Sequence, residues 1–141
     1  MDAPKADNSW TLHLLAWLIA LAATLGALFV GEVMGQKPCL LCWFQRAFMF
    51  PLAIVLAVGV FHADRAVVRY ALPLAIGGAL VAFYHALLYV GILTEALRPC
   101  TRELSCTDAA MTVMGLPLPY LSLAAFIAII GLLAVSNWGK A

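Results

Sequence analysis

The sequence predicts an all-α fold, an integral membrane four-helix bundle with a short surface helix in its third loop. Three observations predict it. Hydrophobic residues make up 65% of the 141 residues and charged ones 11%, whereas a soluble domain is about 45–50% apolar and about 25% charged. Mean hydropathy is +1.01. Four long runs lack Asp, Glu, Lys and Arg, and each is near the roughly 20 residues that cross a bilayer as a helix. The length bounds the chain to one domain, so residues 1–141 are expected to form a single four-span unit. A net charge of +1 gives no support to nucleic-acid binding.

The first run is Trp10 to Val30, and residues 10–30 are the first expected span. A cleaved signal peptide is the competing reading. The leader "MDAPKADNS" has two Asp against one Lys, the apolar stretch exceeds the usual core of about 7–15 residues, and "GEVMGQ" follows instead of a small-residue cleavage site. An uncleaved span fits better. Ala47 to Phe61 is short alone, but reaches spanning length when Trp43 to Arg46 form its first turn, giving a second span over 43–61. Tyr70 to Leu93 gives the third span, 70–93, and Leu116 to Val135 the fourth, 116–135. In the third loop, Arg98-Pro99 ends any helical pattern. Ser105 or Thr107 then caps an expected short helix from Asp108 to Met114, closed by Gly115 and lying along the membrane surface. Pro117 and Pro119 open the last span, where a missing amide hydrogen costs least.

Four spans put both termini on one side, and the first and third loops together on the other. All four cysteines, Cys39, Cys42, Cys100 and Cys106, fall in those two loops. The basic residues divide evenly, with Lys5, Arg65, Arg69 and Lys140 on the terminal side and Lys37, Arg46, Arg98 and Arg102 on the other. Counting Arg46 as intramembrane and weighting the compact basic second loop tips the termini towards the cytoplasm. The cysteines argue the same way, since cytosolic thiols stay reduced while an oxidising face permits paired ones.

Cys39-Leu40-Leu41-Cys42 is a C-x-x-C, a spacing that closes a small reducible disulfide or chelates a metal. Cys42 opens the second helix, where unsatisfied amides and the helix dipole favour a thiolate. Arg46 follows four residues later on the same face, roughly 6 Å along the axis. By position it is either an arginine snorkelling to headgroups or a fixed cation beside the thiolate. Cys100 and Cys106 form a C-x₅-C in a polar loop. As a staple such a small loop stabilises little, and an exchanging pair is the better reading. Two pairs on one face suggest a relay from an outside thiol partner to the membrane-edge pair. No nucleotide fingerprint, haem-attachment motif or iron–sulfur cysteine run is present. A quinone needs none of them: Trp43, Phe44, Phe48 and Phe50 would supply apolar walls, and Arg46 a donor to a carbonyl. His85 lies within the third span, about 12 Å from its outer boundary by helical rise. It is either part of a quinone or proton site or a packing histidine bonded to a neighbouring helix. His13 and His62 read as ordinary residues near helix ends, and Trp10, Trp17 and Trp138 as interfacial or packing aromatics.

The segment "PCLLCWFQRAFMFPLA", with its arginine four residues after the C-x-x-C, resembles the first-loop motif of the DsbB/BdbC disulfide bond formation proteins. The "YH" of the third span, and the C-x₅-C-T ahead of a proline-led last helix, resemble the shorter BdbC branch. The resemblance covers nearly the whole chain and all four cysteines in order. It implies a membrane oxidoreductase in the bacterial inner membrane, with its cysteine loops facing the periplasm or an equivalent space. Its activity would be to reoxidise a DsbA- or BdbD-like thioredoxin-fold thiol oxidase and pass electrons to ubiquinone or menaquinone. By position, Cys39 and Cys42 would be the quinone-linked pair, Arg46 the quinone-site arginine, and Cys100 and Cys106 the pair exchanging with the partner, with Cys100 forming the mixed disulfide. Two departures from the longer branch stand out: the third loop is compact, and Gln45 precedes the arginine where that branch tends to carry an acid. Three other readings compete: a vitamin K epoxide reductase-like enzyme, a structural four-cysteine zinc site, and an inert disulfide-stapled scaffold. The first places its membrane C-x-x-C near the last helix, and the zinc site leaves the arginine unexplained.

Overall fold

The computed structural model describes residues 8–35, 40–92 and 112–138. Four helices carry the fold: α1 (Asn8–Leu28), α2 (Leu40–Phe61), α3 (Val67–Val90) and α4 (Leu118–Trp138). A two-stranded hairpin of β1 (Thr112–Val113) and β2 (Leu116–Pro117) leads into α4. At 21 to 24 residues each, the helices are about 32–36 Å long, enough for a hydrocarbon core of about 30 Å. Only helices or closed barrels satisfy their own backbone in lipid, so four such runs leave little alternative.

The helices pack in a ring, α1 on α2, α2 on α3, α3 on α4, and α4 back on α1. Cross-bonds show that neighbours run antiparallel. The Trp10 indole N–H near the start of α1 donates to the Val60 carbonyl at the end of α2, 3.2 Å away. Between α1 and α4, His13 Nε2 meets the Ser136 hydroxyl at 3.1 Å, with both residues buried.

Lipid offers no hydrophobic drive to bring helices together, so close approach of small residues matters more than apolar area. Ala16, Ala20, Ala71, Ala75 and Ala82 are fully buried alongside Leu52, Leu56, Phe126, Ile129 and Leu133. Gly78 of α3 receives the Phe126 ring of α4, and any β-carbon there would overlap the ring. Gly59 near the end of α2 accepts Val67 at the start of α3 in the same way, with space for a β-carbon only 2.5 Å from the valine side chain. Large apolar residues such as Leu18, Ile54, Leu80, Phe83 and Ile127 point outwards, as a lipid-facing surface requires.

Three of the four helices begin before their apolar runs, because the backbone ladder continues through the flanking residues, while α4 begins at Leu118, after the hairpin. Thus α1 begins at Asn8 rather than Trp10, and α2 at Leu40 rather than Trp43. The third helix stops earlier than its apolar run, at Val90, because Gly91 turns left-handed at φ 85°. Its N–H bonds the Leu88 carbonyl, and that of Ile92 the Leu87 carbonyl, a Schellman closure.

The expected surface helix over 108–114 is not what the described part of that stretch forms. Residues 108–111 lie outside the described residues, while Thr112 pairs with Pro117 and Val113 with Leu116. Met114 and Gly115 both have positive φ, 53° and 81°, which makes a two-residue hairpin turn of the primed type. A backbone at positive φ cannot continue a right-handed helix.

Candidate functional site

Of the four cysteines, Cys42 lies among the described residues, whereas Cys39, Cys100 and Cys106 lie outside them. Cys42 is the third residue of α2 and is half-buried. It therefore sits in the first turn, where helix amides have no intrahelical partner. One turn further in, at spacings of three and four, come Gln45 and Arg46, both on the Cys42 face. Consecutive residues diverge by about 100° around a helix, and these two reach opposite neighbours.

Arg46 reaches α1. Its Nη2 donates to the Ala27 carbonyl at 2.7 Å, and the guanidinium carbon lies 5.6 Å from the centre of the Trp43 ring, a cation–π distance. The side chain is partly buried. The guanidinium is thus tied to the α1 backbone and lies by an aromatic ring of its own helix. A guanidinium carries five N–H donors, and among the described residues the Ala27 carbonyl is the acceptor Arg46 meets.

Gln45 reaches α3. Its side-chain amide meets His85 Nδ1 at 2.9 Å, and the histidine is fully buried while the glutamine is 8% exposed. With the amide N–H donating, Nδ1 accepts and the imidazole proton sits on Nε2. His85 is thus bonded to a neighbouring helix, and the bond joins it to the residue beside Arg46.

The aromatics expected as apolar walls divide. Trp43 and Phe44 are exposed at 58% and 49%, with Trp43 lying under Arg46. Phe48 is half-buried against Gly77 of α3, where a β-carbon would come within 2.7 Å of its ring. Phe50 packs partly buried against the core. At the same end of the bundle, Tyr89 of α3 and Tyr120 of α4 meet edge to face at 5.9 Å.

Three features were not legible in the sequence. Gln45 stood out there beside the arginine, but its partner His85 did not. His13 read as ordinary, yet is buried on Ser136. The third is a π turn over Phe29–Val33 that continues α1, with the Met34 N–H bonding the Phe29 carbonyl at 3.2 Å. Nothing in "FVGEV" announces it, and such turns recur at functional sites.

The arrangement offers a thiol at a helix start, a fixed cation one turn inward, and an imidazole reached through a neutral amide. That set suits exchange of electrons and protons with a small acceptor at the membrane edge. Residues 9–136 match the family of the disulfide bond formation protein DsbB. The chain is 53% identical to a probable disulfide formation protein of Metapseudomonas resinovorans, over 96% of this chain and 95% of that one. It is 40% identical to a protein of the same description from Deinococcus radiodurans, over 90% and 89%. It is 37% identical to disulfide bond formation protein C of Bacillus subtilis, over 82% and 84%. No solved structure matches it significantly. The match along nearly the whole length, on four membrane-length helices, makes this chain a multi-pass membrane protein of disulfide bond formation, a member of the DsbB family.

Proposed function

We propose that the protein is a thiol:quinone oxidoreductase that reoxidises a thioredoxin-fold dithiol oxidase of the DsbA or BdbD type. In this reading residues 1–141 form one four-span unit in the bacterial inner membrane. The cysteine loops face the periplasm or its equivalent, and the termini face the cytoplasm. The observation that carries the reading is Cys42 in the first turn of α2, one turn above an arginine held against α1.

The electrons balance as follows. The partner's dithiol attacks a Cys100–Cys106 disulfide through a mixed disulfide at Cys100. It leaves with its own disulfide formed and the loop pair reduced. The loop dithiol then reduces a Cys39–Cys42 disulfide by the same exchange. The Cys39–Cys42 dithiol closes again to a disulfide and releases two electrons and two protons. A bound ubiquinone or menaquinone would supply the acceptor for both, leaving as a quinol. Arg46 would hold the acceptor's carbonyl oxygen through a donor not used by Ala27, and Trp43 and Phe48 would border it. The residues suit such a group, being one partly buried cation among apolar side chains. His85, steadied by Gln45, would serve the proton path.

The test is quinone reduction by purified protein supplied with a reduced thioredoxin-fold donor. Cys39→Ser or Cys42→Ser should abolish it, and Arg46→Ala should mainly raise the KM for quinone. Stoichiometric tightly bound zinc, with no quinone reduction, would replace this reading by a structural metal site.

A further inference from the structure

We propose that Gly31 is a positioning residue, and that the end of α1 is built to seat the Arg46 guanidinium. Gly31 lies four residues after Ala27, where α1 passes into the π turn, and it brings no side chain between that carbonyl and a donor from α2. Arg46 occupies the opening: a β-carbon on Gly31 would lie 2.9 Å from Nη2 and 3.3 Å from Nη1. Both terminal nitrogens therefore crowd the position an alanine methyl would take, so that the tip of the arginine would have to shift to admit it. The backbone here has left the α register, since the π turn begins at Phe29 and includes Gly31. On the other side the guanidinium lies by the Trp43 ring. Thr24 shares this face of α1 by spacing, and its buried Oγ1 has no hydrogen-bond partner among the described residues, so the polar stripe continues one turn inward.

Glycine serves here through the space it leaves, which decides how close to α1 the cation sits and where its other donors point. This rests on the proposed role of Arg46 towards quinone. A methyl at position 31 pushes the guanidinium off the Ala27 carbonyl while leaving its charge in place. The consequence is a change in quinone binding more than in thiol exchange.

The experiment measures steady-state quinol formation by the purified full-length protein, with a short-chain quinone varied and the reduced dithiol donor held saturating. Gly31→Ala should raise the quinone KM about three- to tenfold, the worth of one weakened hydrogen bond to a charged group, with kcat changed less than about twofold. In the Arg46→Ala background, Gly31→Ala should add nothing. Normal KM in Gly31→Ala beside a raised KM in Arg46→Ala overturns the positioning role and leaves the quinone role standing. Normal KM in Arg46→Ala overturns the quinone role itself. If Gly31→Ala does not fold, ¹⁵N-arginine spectra of the unsubstituted protein decide. Distinct Nη resonances for Arg46 are expected from a seated guanidinium, and a single averaged resonance overturns the proposal.

Discussion

Breaking the bond between Gln45 and His85 should measurably loosen α2 from α3. The two atoms lie 2.9 Å apart, with the histidine fully buried and the glutamine 8% exposed. Gln45→Leu keeps roughly the volume and removes the amide, and His85→Leu removes the ring. Depriving a buried polar group of a partner costs about 1–3 kcal/mol in general. Measured couplings between helices in a membrane average only about 0.6 and reach about 1.7 kcal/mol, because the unfolded state also finds partners. With near-ideal length and both ends closed to water, this pair belongs in the upper part of that range, at about 1–1.5 kcal/mol. The assay is a double-mutant cycle on unfolding in mixed micelles with rising sodium dodecyl sulfate. A coupling below about 0.5 kcal/mol, the scatter expected of independent sites, would refute the claim that this bond ties the helices.

Two further outcomes follow from the packing and the topology. Gly78→Val should destabilise the protein by about 1–3 kcal/mol in the same micelle assay, because Phe126 fills the space above that glycine. Phe126→Leu should recover part of the loss, whereas equal losses with and without it would separate the two residues. A membrane-impermeant maleimide applied to intact cells after mild reduction should modify the cysteine loops. It should leave a cysteine placed at Arg65, in the α2–α3 turn, unmodified until the membrane is opened. The reverse pattern would invert the proposed orientation.

Bilayer physics made much of the fold legible. A spanning helix must be long, apolar and internally hydrogen-bonded, so the runs at Trp10, Ala47, Tyr70 and Leu116 announced four helices that the structure contains. Over its described part, 112–114, the expected surface helix gives way to a hairpin for an instructive reason. A glycine at positive φ closes a helix and also completes a two-residue hairpin turn, and the residue alone does not distinguish them. Here Met114 shares the positive φ, and the hairpin is what forms. Around the candidate site, the i to i+4 spacing of Cys42 and Arg46 was plain from the sequence. The partners of Arg46 and Gln45 were not, because they depend on how α1 and α3 are rotated about their axes. Helices apolar all round carry little record of that rotation. The opening at Gly31 was hidden for the same reason, since its meaning depends on which side chain of α2 faces it.

In the proposed function, electrons leave thiols through Cys42 to a quinone. This route is tested most directly by mixing purified protein with a reduced thioredoxin-fold dithiol donor and a quinone, and following quinol and donor disulfide together. One quinol per donor disulfide is expected, and no quinol from Cys42→Ser. Undiminished quinol formation by Cys42→Ser would contradict that route.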